Sequence, residues 1–205
     1  MTGPVAQPGS LGGQLGLPVD ADRALVSADV LPSAAVPGGA IWYSHACCSA
    51  GSDAASQCAD LFPPGHPIGD TLREVSKNAR NATAPLVKHL FSAPTPVHAF
   101  IGHVEPTFDW TLRNPFTAGT LGDSFVSALY DGLYVKRNDK CTPLALAFEA
   151  VFREAGTFLT NWAQAIAEGN KDKPGAAGLA TYWQVAALDR QSIVIFGDPA
   201  VTLPL

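Results

Sequence analysis

Basic clusters are missing from this sequence. Its 13 lysines and arginines are outnumbered by 18 acidic residues, the net charge is −5, and no basic run forms. Nucleic acid and anionic membrane are therefore poor partners, since both are held mainly by concentrated positive charge. No apolar stretch approaches the ~20 residues that span a bilayer. The opening Met-Thr-Gly-Pro-Val-Ala-Gln-Pro-Gly-Ser lacks the basic start and apolar centre of a secretory signal, so a cytoplasmic location is expected. Cysteine is scarce as well: Cys47, Cys48, Cys58 and Cys141. In a cytoplasmic chain these are expected to be thiols, not a disulfide framework. Although His45, Cys47, Cys48, Cys58 and His66 are close in sequence, no Cys-x-x-Cys pair occurs. Structural zinc sites use such paired ligands, so no metal is expected.

What is present is an apolar, weakly charged chain, 47% hydrophobic and 15% charged, which suits a buried core and not a disordered polymer. Residues 1–20 are rich in Gly and Pro and read as a flexible N-terminal segment, with one domain over 21–205. A short strand and a helical turn are expected in 21–32. Strands are expected at 40–46, at 97–104 and at 192–196. Ser52 or Asp53 offers an N-cap for a helix to about Leu61. Helical spacing covers 70–92 in two pieces broken near Pro85, then 121–135, 143–168 and 176–188. Strands alternating with helices predict an α/β fold with a mostly parallel sheet. Three clear strands are few for such a sheet, which predicts an incomplete one.

The chemistry concentrates at two predicted strand ends. Ala40-Ile-Trp-Tyr-Ser-His-Ala-Cys-Cys-Ser-Ala-Gly-Ser52 runs from an apolar strand into a cysteine followed by small residues. Sites in open α/β sheets gather at the carboxyl ends of strands, which places Cys47 and His103 in one crevice if their strands are neighbours. A thiol needs a base, and an imidazole supplies one. Backbone N–H groups of Cys48, Ser49 and Gly51 are candidates for an oxyanion hole, and a helix starting near Ser52 would add positive potential. Glu105, Asp109 and Trp110 follow His103 and are candidates to line a substrate pocket, the carboxylates selecting a basic side chain or orienting the imidazole. His45 is expected within the packing, away from the crevice.

Ala46-Cys47-Cys48-Ser49-Ala50-Gly51 resembles the cysteine motif of caspase-like peptidases, which include caspases, gingipains, separases and the bacterial CHAT domains. Ala99 to Pro106 looks like the next core strand of bacterial members, and Gly197-Asp198-Pro199 resembles the end of gingipain-type catalytic domains. The resemblance covers 40–110 and 192–203. It implies a three-layer α/β/α sandwich, a peptide or protein substrate, no cofactor, and hydrolysis through a thioester with Cys47 as nucleophile. The family's histidine stands in a His-Gly step at an earlier strand end. None of the five histidines here is followed by glycine, and none precedes His45. The resemblance thus implies either the C-terminal half of a catalytic domain, truncated and inactive alone, or a degenerate member that has lost its base, with His103 the histidine available near the thiol. The alternative is a non-catalytic caspase-like interaction or signalling module that pairs with another chain or an upstream domain through an exposed sheet edge.

Overall fold

The computed structural model describes residues 11–17, 37–114, 116, 119–136, 141–171 and 173–203. The strand and turn expected in 21–32, and most of the expected flexible segment 1–20, lie outside them. The chain divides into two compact units. One holds the described residues up to Thr107 together with Ile193–Asp198, and the other holds Phe108–Ser192 and the residues from Pro199 on.

The first unit is built on strands β1 (Ile41–Tyr43), β2 (Gly51–Ser52), β3 (Ala82–Thr83), β4 (Ala99–His103) and β5 (Ile193–Gly197), with helices α1 (Pro67–Ala79) and α2 (Pro85–Ser92). Both helices carry proline in their first turn, where its missing N–H has no intrahelical acceptor to lose. Ala93 and Pro94 end α2, because the residue before a proline avoids the helical region. The two helices lie between β1 and β4 in the chain, and those strands pair in parallel, with Ile41 opposite Ala99 and Tyr43 opposite Ile101.

The expectation of a mostly parallel sheet needs correction. Strand β5 pairs antiparallel with β4, from Ala99 opposite Gly197 to His103 opposite Ile193, so the sheet β1-β4-β5 is mixed. The rule that gives parallel pairing applies to strands joined by a helix packed on their own sheet. The connection from β4 to β5 leaves this unit altogether, so that rule does not constrain it.

Strand β4 is buried along its whole length, which explains its unbroken apolar run before His103. One face of the sheet contributes Phe100, Trp42 and Val194 to a core with Leu86, Val87 and Leu90 of α2 and Leu15 of the N-terminal segment. The helix expected from Ser52 to Leu61 does not form. Gly51–Ser52 is extended and pairs with Ala82–Thr83, residues 53–58 are irregular, and only Ala59–Leu61 makes a 3₁₀ turn. Glycine at 51 is required there: its φ is +153°, and a Cβ would collide with the Ala82 carbonyl oxygen.

The second unit is helical: α3 (Asp123–Ser127), a π-helical turn at Ala128–Tyr134, α4 (Leu144–Ala147), α5 (Glu149–Gly169) and α6 (Ala176–Gln191). The helix expected over 143–168 breaks at Phe148, which sits at ψ −1° with its ring wholly buried. Helices α5 and α6 pack on one another through Phe158, Ala186 and Ala187. Arg190 of α6 is fully buried. It pairs with Glu154 at 2.8 Å and Asp189 at 2.6 Å, and its guanidinium lies 4.4 Å from the centre of the Phe125 ring.

Candidate functional site

Strand β1 ends at Tyr43, and the next residues turn back across the end of β4. Four hydrogen bonds hold this turn. The Ala50 N–H donates to the His103 carbonyl at 2.9 Å, and the Cys48 N–H donates to the Glu105 carbonyl at 3.1 Å. The buried Ser49 hydroxyl donates to the Ser44 carbonyl at 2.9 Å and accepts the His103 N–H at 3.0 Å. Gly102 makes the approach possible, since a Cβ there would stand 2.7 Å from Ser49 Oγ and 2.8 Å from the Phe100 ring.

This turn exposes one thiol and hides its neighbour. Cys47 is exposed, and its sulfur exchanges two contacts with the backbone of Thr107. The thiol donates to the carbonyl at 3.1 Å, and the Thr107 N–H donates to Sγ at 3.4 Å. Cys48 has a left-handed backbone, φ +51°, and is buried. Burial, reinforced by Cys47 and Glu105, pushes its thiol up from 9.0 to about 12. Of the adjacent pair, Cys47 has the access that a nucleophile needs.

His103 is wholly buried, and its Nε2 faces Nδ1 of His45 at 3.1 Å. The two rings meet edge to face, with centroids 4.6 Å apart. His45 is half-buried. Its Nδ1 also lies 3.0 Å from the Tyr43 hydroxyl, and its Nε2 lies 3.3 Å from Oγ1 of Thr107. Thr107 therefore carries both groups, the thiol on its backbone and the imidazole on its hydroxyl. His45 stands between His103 and Thr107, at the centre of the polar cluster and not in the apolar packing expected for it. The strand stops at Tyr43, so His45 lies in the turn beyond it and not in the sheet–helix packing.

The other candidates take different places. The N–H groups of Ser49 and Gly51 donate within the turn, to Ala46 and Cys48, each at 3.2 Å. Together with Cys48 and Ala50, every amide from 48 to 51 is thus engaged internally. Glu105 is buried, and its two oxygens accept the Ser56 hydroxyl at 2.7 Å and the Gln57 N–H at 2.8 Å, so the carboxylate anchors the 53–58 loop. Asp109 and Trp110 belong to the second unit. Asp109 is exposed, and Trp110 stacks on Phe108 at 5.1 Å and tilts against Tyr182 at 6.0 Å.

Comparison with protein-family models, curated proteins and solved structures returns no match. The geometry therefore has to carry the functional argument.

Beside Cys47 lies a cavity of about 670 Å³. Leu11, Leu15 and Leu17 form one wall, and Trp42, Val75 and Leu86 form much of the rest. Little in the sequence foreshadows it. The Leu-Gly-Gly-Gln-Leu-Gly-Leu stretch at 11–17 reads as a loop by composition, and its apolar side chains acquire a role only once they lie against the core. Thr107 and Tyr43 were missed for a similar reason, because hydroxyls in an aromatic or loop setting carry no spacing signal. Among the described residues, no helix is long and apolar enough to cross a membrane.

Proposed function

We propose that this chain is a cysteine hydrolase of the caspase or gingipain kind, cleaving peptide bonds through a thioester on Cys47. The observation that carries the reading is the exposed Cys47 thiol, seated with the His45 imidazole on one residue, Thr107, at the edge of an apolar cavity. His45 is the base and His103 the group that holds its ring. The buried His103 connects to the thiol by way of His45 and Thr107. Hydrogen bonds in a substrate-free site are often looser than in the working complex, and here Thr107 is the residue that imidazole and sulfur share. The Thr107 amide, already directed at the sulfur, is the donor placed to meet an oxyanion. On this reading the first unit is part of a caspase-like three-layer sandwich.

A second reading, a non-catalytic interaction module, draws support from the amides of 48–51. Ser49 and Gly51 donate within the turn, and Cys48 and Ala50 donate to the Glu105 and His103 carbonyls, so none of the four is ready to stabilise an oxyanion. Incubation with a mixed fluorogenic peptide pool separates the two. With His45 serving in place of the upstream histidine whose absence implied an inactive chain, the peptidase reading expects cleavage by the native chain, loss in Cys47→Ala, and an acyl adduct on Cys47 in acid-quenched samples by mass spectrometry. Equal signals from native and Cys47→Ala protein would leave the interaction module standing.

A further inference from the structure

The cavity beside Cys47 has a lining that bears on what the site accepts. Its walls are leucines, Trp42, Val75 and backbone, with polar side chains from Gln14, Ser44 and Tyr43. Among the described residues, no Asp, Glu, Lys or Arg lines it. Glu105, the nearest candidate in sequence for selecting a basic side chain, is buried and spends both oxygens on Ser56 and Gln57. A charged side chain entering the cavity would lose its water and find no ionic partner among the described lining residues, whereas a large apolar one would exchange water for apolar contact. The volume exceeds that of one side chain and falls within the usual range for small-ligand sites.

We infer that this cavity is the specificity pocket of the thiol and takes a large apolar residue, leucine or phenylalanine in kind, on the acyl side of the scissile bond. The inference rests on the cysteine hydrolase reading and names its substrate class. The sulfur attacks the carbonyl carbon of that residue. The S–C bond forms, the C–N bond breaks, and the thiol proton passes through His45 to the leaving amine. Water then attacks the thioester, forming a C–O bond as the S–C bond breaks, which returns the thiol and releases an acid ending in the apolar residue.

The wall formed by 11–17 is tied to the cysteine turn, which couples the pocket to the nucleophile. Gly16, at φ +65°, lies so close to Ser49 that a Cβ would stand 2.6 Å from its carbonyl oxygen. Leu15 is buried in the same core as Cys48. Substrates that fill the pocket therefore press on a wall that touches the residues following the nucleophile.

The test uses the full chain and peptidyl chloromethyl ketones ending in Leu, Phe, Asp or Arg, with attachment to Cys47 followed by peptide mapping. Each reaction displaces chloride from the ketone by the sulfur and needs no turnover. Leu and Phe ketones are expected to label Cys47 at least about 100-fold faster than Asp and Arg ketones. Val75→Asp is expected to cut labelling by the Leu ketone at least about tenfold and to speed labelling by the Arg ketone. Equal rates for all four, with peptide hydrolysis intact, would overturn the pocket assignment and leave the hydrolase standing. If no peptide is hydrolysed, the hydrolase reading falls, and protection decides the pocket. Acetyl-leucine amide and acetyl-phenylalanine amide should then slow iodoacetamide at Cys47 where the Asp and Arg amides do not, and absence of that difference overturns it.

Discussion

His103 and His45 face each other across 3.1 Å, one ring wholly buried and the other half-exposed. Burial fixes the His103 ring, and its Nε2 then limits which way the His45 ring turns. On the hydrolase proposal the pair divides two tasks, His103 positioning the ring and His45 reaching toward the thiol through Thr107.

The first prediction follows from that division. His45→Ala should lower the rate of Cys47 acylation by about 100-fold or more, the usual size of general base catalysis. His103→Gln keeps a polar nitrogen near His45 and should reduce the rate less, while shifting the pH–rate profile. Identical profiles for His103→Gln and native protein would remove His103 from the site's chemistry.

Cys47 and Cys48 should behave as opposites toward an alkylating reagent. In the native chain at neutral pH, iodoacetamide should modify Cys47 first and leave Cys48 and Cys58 unmodified, since both are buried. All four thiols should react after denaturation. Labelling of Cys48 as fast as Cys47, read by peptide mapping, would contradict the geometry of the turn.

Stability should decline on the alkaline side. The folded Cys48 thiol is raised to about 12 from 9.0, so above pH 9 the unfolded chain releases a proton that the folded chain keeps. The contribution is complete below about pH 9 and is lost as pH rises from there toward 12. Tyr182, raised by burial to about 12 from 10.0, adds the same trend from about pH 10. Urea midpoints measured from pH 8 to 11 should fall, and the fall should be shallower in Cys48→Ala.

Gly102→Ala should destabilise the first unit by about 1–3 kcal/mol, the usual range for overpacking. The added methyl would press on Ser49 Oγ and the Phe100 ring, both wholly buried. Faster iodoacetamide labelling of Cys48 should accompany the loss, because the same contact holds the cysteine turn closed.

Arg190→Leu should cost about 3–5 kcal/mol, since it leaves the buried Asp189 carboxylate without its cation. Denaturant unfolding checks the magnitude. A change below 1 kcal/mol would mean that Asp189 has relaxed to other partners.

Much of the framework was legible in the sequence. Pro67 and Pro85 mark the two helices of the first unit, Gly175 precedes α6, and the apolar runs at 41–43, 99–103 and 193–197 are the strands of the main sheet. These signals are local, because proline, glycine and apolar runs act on the backbone within a few residues. Cys47 was legible for the same reason, as a thiol just past an apolar strand and before small residues. Tertiary structure decided the rest. Whether β5 runs parallel or antiparallel depends on a connection that leaves the unit, which no local pattern records. Ser52 and Asp53 are good caps, yet pairing of Gly51–Ser52 with Ala82–Thr83 prevailed over the helix they invite. The partners of His45, the engagement of Glu105 and the apolar wall from 11–17 arise from contacts between residues far apart in the chain. Sequence alone determined that Cys47 stands just past an apolar strand. Folding determined which imidazole shares Thr107 with it and which side chains surround it, because only packing brings distant polar groups to within about 3 Å.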